Sequence, residues 1–204
     1  VSHFLEKSAE NGIEIFRTFD ALNDFENIDF TIREVKRIGK HAQGTIAYTT
    51  SPVHDLNTWL DLAKKIEDAG ADSLAIKDMA GLLRPFDAYE LVKNLKSTLS
   101  IPIHMQTHAT TGMSAATNMK AIEAGIDNID TSISSLSMTY GHTATETMLA
   151  IFENQEREIN LDLSALEEVS IFFKEIRGKY SEFEGNLKGV DSSMLVKQVP
   201  GGML

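Results

Sequence analysis

The chain has 204 residues, of which 42% are hydrophobic and 24% charged, the make-up of one sizeable soluble globular domain. Its net charge of −11, from 30 acidic against 19 basic residues, argues against nucleic acid and anionic membrane surfaces, which are bound through Lys and Arg. Cysteine is absent, which excludes disulfides and thiolate metal sites and fits a reducing compartment. No apolar run approaches the ~20 residues of a membrane span, and the opening residues lack the basic flank and apolar core of a signal peptide.

Residues 1–12 read as an amphipathic helix with Phe4 and Leu5 inward, stopped by Asn11-Gly12. Residues 13–21, rich in β-branched and aromatic side chains, read as a strand. Residues 25–40 place Phe30, Ile32, Val35 and Ile38 at helical spacing, and residues 42–50 form a second strand before the Ser51-Pro52 turn. Trp59, Leu62, Ala63 and Ile66 make one stripe of a helix over 56–69, closed by Gly70. Residues 71–79 are the third strand, and 86–99 a helix with Tyr89, Val92 and Leu95 in register.

The fourth strand lies in IPIHMQTHATTG, residues 101–112. Period-two alternation puts His104, Gln106 and His108 on one side of it. Burying such groups costs on the order of a few kcal/mol each unless they are hydrogen-bonded or ligated. Both outcomes are open: satisfaction by backbone and water, or metal ligation by imidazole. A helix over 113–124, a strand over 126–134 and a helix over 144–154 follow. Residues 161–182 form a further helix carrying Leu166, Val169, Phe172, Phe173 and Ile176, capped by Asp162 or Ser164, and the tail from 183 to 204 is loop-like.

Strand and helix therefore alternate five times, the pattern of βα units on a parallel sheet. No G-x-G-x-x-G follows a strand, which removes the dinucleotide fingerprint of the doubly wound sheet. Polar residues instead gather toward strand ends: Arg17 and Asp20, Gln43 and Tyr48, Lys77 and Asp78, Gln106 and His108, Asp130 and Ser134. A (β/α)8 barrel collects such residues at one mouth, although a whole barrel takes about 250 residues and eight units. The expected division is a partial barrel over residues 1–160, with the helix and tail of 161–204 packing on it.

Within that frame Lys77 has three readings: a strand-end lysine paired with Asp78, a desolvated amine nucleophile, or a modified lysine that binds metal. Arg17 is a fork for a carboxylate ligand or the partner of Asp20 or Asp24. Tyr48 reads chiefly as packing. His142 reads as lying near the start of the next helix, outside any metal site.

The motifs FRTFDALND, IAYTTSPVH, IKDMAGLL, THATTG, AIEAGIDNIDTSIS and KQVPGGML resemble the carboxyltransferase domain of biotin-dependent enzymes. The α subunit of oxaloacetate decarboxylase and the B-type chain of two-subunit pyruvate carboxylase are the nearest types. The resemblance runs along nearly the whole chain. It implies a (β/α)8 TIM barrel of which this chain matches strands four to eight plus C-terminal helices. It further implies a divalent metal at the mouth, zinc first, with manganese or cobalt as alternatives. The metal-binding lysine, carbamylated in the family, maps onto Lys77, and the two histidines of the family's H-x-H map onto Gln106 and His108. Gln106 is a departure, since a neutral amide oxygen binds zinc more weakly than imidazole. Arg17 maps onto the arginine that holds pyruvate or oxaloacetate, and Tyr48 onto an aromatic beside the site.

The implied reaction moves a carboxyl group between oxaloacetate or pyruvate and biotin on a separate carrier domain, in a homo-oligomer or multi-subunit complex. Its implied location is the cytoplasm, peripheral to a membrane complex in the decarboxylase branch. Two rivals remain at this point: a metal-dependent aldolase or lyase of the same superfamily, against which Lys77 speaks, and an inactive scaffold that keeps the fold.

Overall fold

The computed structural model describes residues 1–137, 141–155, 159, 161–186 and 189–197. Its elements are α1 (Ser2–Glu10), β1 (Ile15–Thr18), α2 (Phe25–Arg37), β2 (His41–Ala47), α3 (Leu56–Asp68), β3 (Ser73–Asp78), α4 (Pro85–Thr98), β4 (Ile103–Thr107), α5 (Ser114–Glu123), β5 (Asn128–Ile129), α6 (Thr145–Phe152), α7 (Leu163–Lys179) and α8 (Met194–Lys197). The five strands are all parallel and lie in the order β1-β2-β3-β4-β5. A doubly wound sheet reverses its strand order partway; this one advances by one neighbour at every step, as barrel strands do.

Caps and stops explain most boundaries. The Asp24 carboxylate accepts from Glu26 N at the start of α2, Asp55 from Thr58 N at α3, and Asp162 from Ser164 N at α7. Pro85 opens α4, where its missing N–H has no helical partner to lose. Helices α2 to α4 turn Ile28, Ile32, Val35, Trp59, Ala63, Ile66, Leu91, Val92 and Leu95 onto one buried cluster with Ile46, Leu74, Ile76, Ile103 and Met105 from the strands. Gly44 lets α3 approach β2 closely, since a Cβ there would stand 2.3 Å from Ile66 Cγ2.

Several expectations shift. Leu5 is buried but Phe4 is 70% exposed, and in α2 Ile28 rather than Phe30 turns inward. The fifth strand shrinks to two residues, after which Ser132 makes a single bridge to Ala144. The tail is not wholly loop: a 3-10 turn spans Ser181–Phe183, and α8 buries Met194 against Ala80 and Leu82. The Pro200-Gly201-Gly202 end lies outside the described residues. Helix α7 forms as expected, yet none of its side chains is fully buried, and Phe172 is 57% exposed. Its periodic apolar positions are only partly covered among the described residues: Leu166, Phe173 and Ile176 are half-buried, while Val169 and Phe172 stay exposed. Among the described residues no helix is long and apolar enough to cross a membrane.

The loops after β3 and β4 interlock. The buried Asp78 carboxylate accepts from Leu82 N at 2.8 Å, Leu83 N at 3.0 Å and Thr107 Oγ1 at 2.9 Å. Burial pushes this carboxyl up to about 6, against the lowering effect of those three bonds. The backbone supports the same join: His108 N donates to Asp78 O at 3.0 Å, and Thr111 Oγ1 to Gly81 O at 2.5 Å. Gly81 has φ +66°, and a Cβ there would lie 2.7 Å from the His108 carbonyl oxygen. Gly81→Ala therefore meets both a disfavoured backbone and a backbone clash. A stability loss of about 2 kcal/mol is expected in urea unfolding, and an unchanged midpoint would count against the close approach.

Candidate functional site

Strand register sorts the polar residues into tiers. Arg17, Gln43 and Ser73 stand level, then Thr45, Ala75, His104 and Asn128, then Ala47, Lys77 and Gln106. Side chains of one tier share the face opposite Gly44, Ile46 and Ile76, which pack under the helices. His104 and Gln106 thus share a face with Lys77 and Arg17, as the alternation requires.

A chain of hydrogen bonds crosses this face. His41 Nε2 lies 2.7 Å from Ser73 Oγ, and Gln43 Nε2 donates to the same hydroxyl at 3.1 Å. Arg17 Nε donates to Gln43 Oε1 at 2.5 Å, and Arg17 Nη1 to Asp130 Oδ2 at 2.5 Å. The second oxygen of Asp130 lies 2.5 Å from His104 Nε2. Arg17 therefore pairs neither with Asp20 nor with Asp24. Asp20 instead accepts from Leu22 N, Asp24 N and Asn27 Nδ2, which shapes the turn after β1. Burial works to raise the Asp130 carboxyl, but hydrogen bonds from His104 and Arg17 and the guanidinium charge hold it well below the usual carboxylate range.

Above this chain sits a second group. Lys77 Nζ is half-buried, 3.5 Å from Gln106 Oε1 and 5.0 Å from the Phe19 ring centroid. Burial lowers the Lys77 amine, Arg17 lowers it further, and Asp130 opposes both. The other end of the Gln106 amide, Nε2, lies 2.9 Å from His142 Nε2. The His142 and His108 rings are 4.9 Å apart and tilted by 42°. Burial lowers the His142 imidazole, and the charge of a protonated His108 would lower it further. Lys77, Gln106 and His108 are thus joined through a residue that sequence reading set aside. His142 lies on an irregular segment, where no periodicity assigns it a face.

Three other expected mouth residues lie elsewhere. Tyr48 stands on the helix side of β2, its ring 5.5 Å from Trp59. With Thr50, His54, Asp55, Asp87 and Glu90 it lines a separate cavity of 310 Å³, where His54 stacks on Trp59 at 4.8 Å. Burial, with Asp87 and Asp78 nearby, pushes the Tyr48 hydroxyl up to about 12. Asp78 serves the loop join described above, not the concave face. Ser134 pairs with Ser170 of α7.

The groups gathered along this line are a lysine amine, the Gln106 amide and the imidazoles of His142 and His108. Among the described residues no three His, Asp or Glu side chains are close enough to share an ion. The set fits a borderline divalent cation through nitrogen and neutral oxygen, with Lys77 contributing only if its ammonium is converted to a ligand.

Comparison with known proteins agrees with this architecture. The HMGL-like family profile matches residues 8–172. The methylmalonyl-CoA carboxyltransferase 5S subunit of Propionibacterium freudenreichii subsp. shermanii is 47% identical over all of this chain and 41% of its own length. The B-type chain of Methanocaldococcus jannaschii pyruvate carboxylase is 45% identical over all of this chain and 36% of its own. Among solved structures, the carboxyl transferase domain of Rhizobium etli pyruvate carboxylase superimposes with a TM-score of 0.96 at 35% identity, over 99% of this chain and 35% of that one. The chain thus spans about two fifths of the length of these curated relatives. Its single-direction run of parallel βα units and its match over most of its length place the chain in the HMGL-like family, as part of a TIM barrel.

Proposed function

We propose that this chain carries the keto-acid side of a biotin-dependent carboxyltransferase, moving a carboxyl group between pyruvate or oxaloacetate and biotin on a separate carrier domain. The observation that carries the reading is the approach of Lys77 to Gln106, level on adjacent strands, beside an arginine held on the same face. The names of the two curated relatives support it, as does the Rhizobium etli domain solved with pyruvate and biocytin, which is 35% identical to this chain.

Arg17 is the anchor for the substrate carboxylate. Gln43 and Asp130 fix three of its N–H directions, one of them at a long 3.4 Å. Its remaining N–H groups can meet a carboxylate without a search for orientation. Asp130 holds the guanidinium in place, and His104 in turn holds Asp130. Lys77, with its lowered pKa, is the group prepared for modification. Its neutral amine attacks carbon dioxide, an N–C bond forms, one proton leaves, and the carbamate oxygens replace an ammonium that cannot ligate.

Lys77 in that form, Gln106 and His108 would hold a divalent metal, zinc in the first instance, whose chemistry is Lewis-acid polarisation of the keto oxygen. The Phe19 ring lies over Lys77, its centroid 5.0 Å from Nζ. The rival aldolase reading gains nothing from the Lys77 environment. The scaffold reading is separated from this one by assay.

Arg17→Lys keeps a positive charge but loses the fork. In the full-length protein it is expected to reduce carboxyl transfer from oxaloacetate by at least a hundredfold, on the order of 3 kcal/mol of transition-state stabilisation. Activity within twofold of the parent would sink the anchoring role. A parent protein with no transfer, assayed with its carrier domain present, would instead favour the scaffold.

Gln106→His should raise affinity for zinc or nickel, read by calorimetric titration. Equal affinity would count against position 106 facing the ion.

The Asp130 carboxylate also predicts a pH dependence. Its folded pKa is depressed, so its stabilisation is present above its unfolded value near ~4 and is lost as pH falls through the folded one. Between pH 7 and pH 3 the parent should lose more melting temperature than Asp130→Asn does. Parallel losses would show that the carboxylate contributes no net stability.

A further inference from the structure

The ligand set proposed above contains one imidazole, while a second stands beside it and the mechanism leaves it idle. His142 belongs to a segment held on both sides. Ala109 N donates to Gly141 O at 2.8 Å, Ser132 N to Thr143 O at 3.1 Å, and the buried Thr143 hydroxyl meets Ser114 Oγ at 2.7 Å. The ring is thus presented by a pinned backbone, toward His108 on one side and the Gln106 amide on the other.

The spacing of the two rings is informative. With zinc–nitrogen bonds near 2.1 Å, two imidazoles on one ion put their ring centres about 4.5 Å apart at a right angle and about 5.2 Å apart at the tetrahedral angle. The observed 4.9 Å lies between these values. The tilt of 42° is not that of a stacked pair. His142 Nε2 now faces an amide nitrogen at 2.9 Å, so an unprotonated lone pair on the imidazole receives the amide N–H. That lone pair is the one a metal takes. A half-turn of the Gln106 amide exchanges its NH2 for its carbonyl oxygen, so that amide and imidazole face the same point as donors.

We propose that His142 is a metal ligand in this protein, paired with His108, and that it supplies the imidazole that Gln106 does not. The proposal rests on the metal-assisted reading above and deepens it. It assigns the compensating donor to a different loop, the one before α6.

The test is titration of the full-length protein with Co²⁺, read by calorimetry and by the visible absorption of the bound ion. His142→Ala is expected to weaken Co²⁺ binding at least tenfold and to change the visible band. Adding Gln106→His to it should restore both, because the imidazole returns from β4. Should His142→Ala not fold by circular dichroism, His142→Asn carries the same expectation with a polar group kept beside Gln106. Parent-like affinity and spectrum in the His142 variant would overturn the proposal. A parent that binds no Co²⁺ would overturn it as well, while carboxyl transfer would still be judged by the Arg17→Lys assay, which reads no metal.

Discussion

The ion pair between Arg17 and Asp130 joins the first strand of the sheet to the end of the last. These positions are 113 residues apart, and no backbone ladder connects β1 to β5. The pair therefore ties the two outer strands to each other across one face of the sheet, while the helices pack on the other. Both side chains are about one quarter exposed. Partial burial costs the pair desolvation, and at Asp130 the hydrogen bonds from His104 and Arg17 outweigh that cost, holding the carboxyl below its usual range. The flanking bonds from Gln43 and His104 matter for the same reason, because they satisfy groups that would otherwise be desolvated without partners.

Over this lower layer the reactive groups are placed by a second device, the join between the loops after β3 and β4. Asp78 points away from the concave face and receives two backbone N–H groups of its own loop and the Thr107 hydroxyl of the next strand. Residue parity then does the rest: if Asp78 is locked outward, Lys77 must face inward. Thr107 and Gln106 stand in the same relation. The opposed pairs Lys77/Asp78 and Gln106/Thr107 are two alternating dipeptides on paired strands, their outward members bonded to each other and their inward members 3.5 Å apart.

How much of this could be read from the residues follows from the range of each interaction. Helix stripes and strand alternation are local, and they gave the βα order and the shared face of His104 and Gln106, while Lys77 kept three readings until the fold placed it. Tyr48 shows how parity must be applied residue by residue: it follows the inward Ala47 just past the end of β2, so alternation turns it to the helix side, although its place near a strand end groups it with Gln43. The partner of Arg17 was not legible, because nearby aspartates offered cheaper loops than one 113 residues away. His142 escaped for another reason, since it sits in irregular chain where only the fold brings it to β4. The apolar stripe of α7 was legible as a stripe, but periodicity does not name what covers it.

The pocket beside Tyr48 has a use independent of its chemistry. The sequence contains a single tryptophan, and it is the 4%-exposed Trp59 of α3, stacked on His54 and against Tyr48. Every change in indole emission from this chain thus arises at one seam, where the first turn of α3 packs beside Tyr48 at the end of β2. The fluorophore reports the seating of that helix on the sheet and stands apart from the cluster around Gln106, so folding and ion binding can be followed as separate optical signals.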